Sequence, residues 1–172
     1  MIDVDVPGDY ARRLLNRIGD RDMFEVFEST PAALRASFEG LDDAAMRRPE
    51  APGKWAMIEV AQHLADSDMV VGARVRMMLA EEQPAIAAYD QDLWVRNLRY
   101  REAVLDDVLA QFNALRAANL RLARRLGAAD LARFGVHSER GGESVGYTLR
   151  LQASHDLVHL DQIARIRRAV TA

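Results

Sequence analysis

The chain reads as an all-α protein, a four-helix bundle with short extra helices at its N-terminus, and three observations carry that reading. Long segments are rich in Ala, Leu and Arg, all good helix formers. Glycine and proline number only 10 and 5 among 172 residues, so breakers are few within the segments. The period-two alternation of Val, Ile and Thr that marks strands is almost absent. No internal repeat, low-complexity tract or long linker divides the chain. One domain over residues 1–172 is therefore expected, with an extension helix within 1–20 and the core bundle over about 22–170.

The elements follow in order. The N-terminal third holds YARRLLNRI, then DMFEVFES, then a segment opening at Thr30-Pro31. There a threonine N-cap precedes a proline at the first helical position, and Leu34, Phe38 and Leu41 face inward. The stretch MIEVAQHLADSDMVVGARVRMMLAE predicts a long helix over about 57–81, ending ahead of Pro84 because the residue before a proline is pushed out of helical geometry. A second long helix runs over about 101–126. Leu105, Val108, Phe112, Leu115, Asn119, Leu122 and Leu126 recur there at spacings of three and four, and Gly127 is placed to cap its end. A third covers about 144–170, with Ser144 as N-cap after the Gly141-Gly142 turn. The intervening segments, around 82–95 and 127–143, are the expected rims of a cleft.

Composition removes several functions. With no cysteine, the chain has no thiol nucleophile, thiolate ligand or disulfide, a composition compatible with a reducing cytosol. The start, MIDVDVPGDYARRLL, lacks a basic region followed by an apolar core, and no apolar run approaches the roughly 20 residues of a membrane helix. A soluble, cytoplasmic protein is expected, without a membrane partner. The formal net charge of −3 and pI of about 5.8 argue against a nucleic-acid partner held through phosphate contacts.

Four histidines carry the chemistry. His155 and His159, in ASHDLVHLDQ, lie four apart, so a helix brings both imidazoles to one face, within reach of a single ion. His63, in EVAQHLADSD, sits mid-helix among inward-facing Val60, Leu64 and Ser67. By itself it reads as a core histidine satisfied by one hydrogen bond. Beside the HxxxH pair, it supplies a third ligand if the two long helices pack side by side. Thr148, Gln152, His155, His159 and Gln162 form a polar stripe with few charges, which lines a wet pocket or faces solvent. Gln152 and Gln162 are candidates for orienting the imidazoles. His137 lies in the loop before the last helix and is expected to hold that loop through local hydrogen bonds.

The stretch KWAMIEVAQHLADSD, the loop GVHSERGGESVGYTL and the segment ASHDLVHLDQI resemble three landmarks of the DinB-like superfamily. These are small helical candidate metalloenzymes, distinct from the DNA polymerase of the same name. The likeness spans about residues 22–170. It implies an up-down-down-up four-helix bundle, frequent homodimers, and one divalent ion held by His63, His155 and His159. Asp68 stands where Glu is common, a departure that leaves those ligands untouched. Relatives include transferases and isomerases that use a low-molecular-weight thiol, bacillithiol or mycothiol.

Three imidazoles leave a coordination position open, as in catalytic rather than closed structural sites. A water there would be acidified toward a pKa of about 7; an external thiol there would be stabilised as thiolate. Hydrolysis and thiol transfer on a small-molecule substrate both fit. Zn or Ni is the expected cofactor, with Fe or Mn also accepted by imidazole. Glu59, one turn before His63, is a candidate general base or a surface carboxylate. Arg74 can meet an anionic substrate or keep its head in water. Asp66 and Asp156 neighbour the histidines in sequence, but Asp156 points about 100° away from His155 and reads as structural, and Tyr147 and Trp94 read as cleft or core aromatics. The competing reading is a bundle that binds metal for stability or dimerises without catalysis, including a stress-linked role.

Overall fold

The computed structural model describes residues 2–171. Four helices form the bundle: α2 (Met23–Ala36), α4 (Met57–Ala80), α6 (Leu105–Ala123) and α8 (Val145–Thr171). Ahead of them α1 (Asp9–Ile18) packs against α8, and the short helices α3 (Asp43–Arg47), α5 (Gln91–Asn97) and α7 (Ala128–Leu131) lie in the connections.

Side-chain contacts fix the helix directions. Arg167, late in α8, donates to the carbonyls of Ser37 and Glu39 just beyond α2, while Arg150, early in α8, reaches the Gly19 carbonyl just before it. The two helices are parallel. Along α4 and α6 the pairs Asp66–Gln111, Asp68–Arg116 and Arg76–Asn119 advance together, so these helices are also parallel. His63 meets His155 and Ser67 meets Gln152, pairs that run in opposite senses, making α4 antiparallel to α8. The order is up-down-down-up, and the parallel α4–α6 pair requires the long crossover that carries α5.

Two apolar clusters fill the bundle. One joins Leu34 and Phe38 to the first half of α4, to Val108, Leu109 and Phe112, and to Ile163, Ile166 and Val170. The other joins Val26 and Phe27 to Val75, Met78, Ala123, Val145 and Leu149. Between them lies a polar layer. Arg116, 3 % exposed, sits between Asp68 at 2.9 Å and Asp156 at 2.7 Å, and its guanidinium lies 4.7 and 4.8 Å from the rings of Phe27 and Phe112. Burial of such a charge is tolerated only because it is paired and hydrogen-bonded. Burial pushes the Asp156 carboxyl up to about 6 in spite of the arginine.

Several boundaries differ from the sequence expectation. The helix expected to open at Thr30-Pro31 is instead the second half of α2, which runs through Pro31. Proline cannot donate to the Phe27 carbonyl four residues earlier; Arg116 Nη1 donates to that carbonyl at 3.3 Å. Gly127 does not cap α6, which ends at Ala123; with extended backbone it precedes α7, its N–H donating to Asp130. The expected start at 101 falls on a 3-10 turn, Tyr100–Glu102, ahead of α6. Ser144 does cap α8, accepting from the Tyr147 N–H at 3.1 Å.

The rims contain a small sheet that the helical pattern does not predict. β1 (Ala85–Ile86) pairs in parallel with β2 (Phe134–His137), which pairs antiparallel with β3 (Gly141–Ser144). Gly141, at φ +80°, makes the turn. Gly142 lets the N-terminal segment lie against β3, since a Cβ there would fall 2.8 Å from the Asp3 carbonyl oxygen. The sheet ties both rims together over one side of the bundle.

Candidate metal centre

α4 and α8 cross where His63 faces His155 and His159. Each of the three offers a ligand atom within 4.8 Å of the others, and the His63 and His155 Nε2 atoms are 3.0 Å apart. Two nitrogens at about 2.0–2.1 Å from a tetrahedral ion lie about 3.3–3.4 Å apart, so this pair needs to open by only a few tenths of an ångström to share an ion. His159 Nδ1 bonds Gln162 Oε1 at 2.7 Å. A carbonyl oxygen can only accept, so the proton sits on Nδ1 and Nε2 keeps its lone pair for the cluster. Gln162 thus orients an imidazole, as its place on the polar stripe suggests. Gln152 does not; it accepts from Ser67 Oγ at 3.1 Å.

Burial keeps the imidazoles neutral. It drops His63 to about 3 and His159 to about 4, and holds His155 well below the ordinary histidine value. Mutual repulsion among the rings adds to the shift at His63 and His155. Near pH 7 all three are therefore unprotonated, as ligation requires. The donor set fits a divalent ion of the borderline kind. Trp55 covers the cluster from the side, its ring 5.1 Å from that of His63 and 6.4 Å, with nearly parallel planes, from that of His159. Its Nε1 donates to Asp92 at the start of α5, fixing the indole.

The cluster opens through His155 into a cleft of about 620 Å³. Its walls include Ser67, Arg74, Tyr89, His137, Arg140 and Thr148. Both expected rims contribute. His137 lies in strand β2 rather than in a loop, and its Nδ1 accepts the Glu139 N–H at 3.2 Å, the local bond expected of it. Trp94 packs on Tyr89, with ring centroids 4.5 Å apart, and neither Trp94 nor Tyr147 lines the cleft.

Glu59 is placed elsewhere. Its Oε2 accepts from the Ala56 N–H at 2.6 Å, capping α4, and pairs with Arg101 at 2.8 Å. It is not part of the imidazole cluster. Asp66 is tied to Tyr100, Gln62 and Gln111, and Asp156 to Arg116, the structural role expected of Asp156. Trp55, Tyr89 and Arg116 carry no signal in the sequence that singles them out.

The sequence profile of the DinB superfamily matches residues 27–163, most of the chain. The chain belongs to this superfamily. A candidate metal-dependent hydrolase of Oceanobacillus iheyensis is 29 % identical over 139 residues, 81 % of this chain and 80 % of that one. YfiT of Bacillus subtilis, also named as a candidate metal-dependent hydrolase, is 39 % identical over 88 residues, 51 % of this chain and 49 % of its own. A solved structure of YfiT superposes with a TM-score of 0.79 and 25 % identity, covering 95 % of this chain and 90 % of the other. It is described as having an unusual four-helix-bundle topology.

Proposed function

We propose that this DinB superfamily protein is a metal-dependent hydrolase of a small molecule, with one divalent ion held by His63, His155 and His159. The convergence of three neutral imidazoles, one of which, His155, lines an open cleft, carries the reading. Such an ion supplies Lewis acidity, lowering the pKa of an oxygen or sulfur nucleophile at its free position. The chain's own residues do the rest. Gln162 holds the His159 tautomer, Trp55 shields one flank from water, and the walls of the cleft leave room for substrate on the side of His155.

Zn or Ni is the proposed ion. An external low-molecular-weight thiol is the alternative nucleophile, supported by the volume of the cleft, which accommodates two small reactants, and by a chain without cysteine of its own. A homodimer in the cytoplasm is the proposed state. No helix among the described residues is long and apolar enough to cross a membrane. Protein loaded with Zn or Ni is to be assayed on small esters and amides, with and without an added thiol. Turnover without thiol that vanishes on chelation supports hydrolysis, and turnover only with thiol supports transfer. Turnover indifferent to chelation contradicts both.

A further inference from the structure

The wall of the cleft beyond the imidazole cluster holds donors that the protein itself leaves unused. His137 is 2 % exposed, and its Nδ1 accepts from Glu139, which places the ring proton on Nε2. That Nε2 is buried without a partner among the described residues, and so is the hydroxyl of Thr148. Arg74 is half-buried beside them. Its Nη2 donates to the Ala87 carbonyl at 2.6 Å and its guanidinium lies 5.9 Å from the Tyr89 ring centre. No carboxylate among the described residues forms an ion pair with it.

The other charges in the cleft are mostly committed. Arg140 is bound by both oxygens of Glu143, at 2.5 and 2.8 Å. Asp90 caps α5, and Asp92 accepts from Trp55. Glu139 is exposed. What remains along this wall, among the described residues, is a guanidinium without an ion-pair partner, with a buried imidazole N–H and a buried hydroxyl that have no partners. A donor buried without an acceptor costs about 1–3 kcal/mol, and an oxyanion is the ligand that uses all three.

We propose that Arg74 and His137, with Thr148, form the recognition site for an anionic group, a carboxylate or phosphate, on the substrate. The inference rests on the reading of the histidine cluster as the reaction centre of the same cleft. With its anionic end held at Arg74 and His137, a small acidic molecule would extend its reactive end toward His155. Selection would then favour acidic substrates over neutral ones of the same shape.

The test uses inorganic phosphate and acetate as probes, titrated into zinc-free and zinc-loaded protein with chloride holding the ionic strength constant. NMR follows the His137 ring. The expected result is a saturable shift of the His137 resonances in both forms, with affinity reduced about ten- to hundredfold in Arg74→Gln, the scale of a lost charged hydrogen bond. Arg74→Lys, which keeps the charge but not the fork, should fall between. A response to only one probe identifies the oxyanion. If Arg74→Gln does not fold, calorimetric titration of His137→Gln with phosphate gives the comparison. Resonances that ignore both anions, or affinities equal in wild type and variants, overturn the proposal. Failure of zinc loading with anion binding intact would instead overturn the metal reading alone.

Discussion

Replacing Arg116 by methionine removes the cation that lies between two buried carboxylates. Asp68 and Asp156 have side chains 3 % and 0 % exposed, so both charges sit away from bulk water once the guanidinium is gone. Removing one partner of a buried ion pair costs about 3–5 kcal/mol, because the remaining charge must stay unpaired or take up a proton. The Phe27 carbonyl, left without a helical donor by Pro31, would lose the bond from Arg116 as well, adding about 1 kcal/mol. A loss of about 4–6 kcal/mol is a large part of the 5–15 kcal/mol typical of a domain. It should lower the melting temperature by about 10–20 °C. Urea denaturation followed by circular dichroism measures it as a lower midpoint at unchanged slope. The deficit should shrink as the pH falls through about 6, where the Asp156 carboxyl takes up a proton and no longer needs the cation. A loss under about 1 kcal/mol at pH 7 would refute the assignment of Arg116 as the tie between α4, α6 and α8.

Acid should destabilise the metal-free protein through its histidines. Their folded pKa values, about 3 for His63 and about 4 for His159, lie below the unfolded value of about 6.5. The unfolded chain therefore binds more protons, and stability present above pH 6.5 is lost as the pH falls toward the folded values. The slope is at most about 1.4 kcal/mol per pH unit for each histidine, less where a ring keeps some contact with solvent; pH-dependent urea midpoints check it, and a flat profile between pH 7 and 5 contradicts it. Zinc affinity, by the same values, should change little between pH 7.5 and 5.5, as competition with a chromophoric chelator would show. Gln162→Leu frees the His159 tautomer and should weaken metal binding about 10–100-fold, read by the same competition. Glu59→Gln should cost about 1–2 kcal/mol through the α4 cap and the Arg101 pair, measured by urea denaturation, while metal affinity stays unchanged.

The parts of this structure that a linear reading reaches are those written in local period. The three long helices announce themselves by apolar spacing, and the HxxxH pair by its four-residue interval. His63 is legible because it sits at an inward position of its own helix. What stays hidden depends on contacts distant in the chain. Arg116 reads as surface, and its burial makes sense only once Asp68 and Asp156 arrive from two other helices. The proline in α2 reads as a helix start because the donor that replaces its missing N–H comes from α6. β1 is two residues long and pairs with a strand beyond α6, too short for any alternation to show. Trp55 acquires meaning only when the crossover closes over α4 and α8, and Arg74 and His137, read singly in the sequence, come together only when the small sheet closes the cleft.

The central claim is one divalent ion on three imidazoles, and metal content after dialysis tests it most directly. Elemental analysis of wild-type protein should give about one equivalent of Zn or Ni per chain. His63→Ala, His155→Ala and His159→Ala, each shown folded by circular dichroism, should each lose most of it. Equal metal in all four proteins would contradict the account.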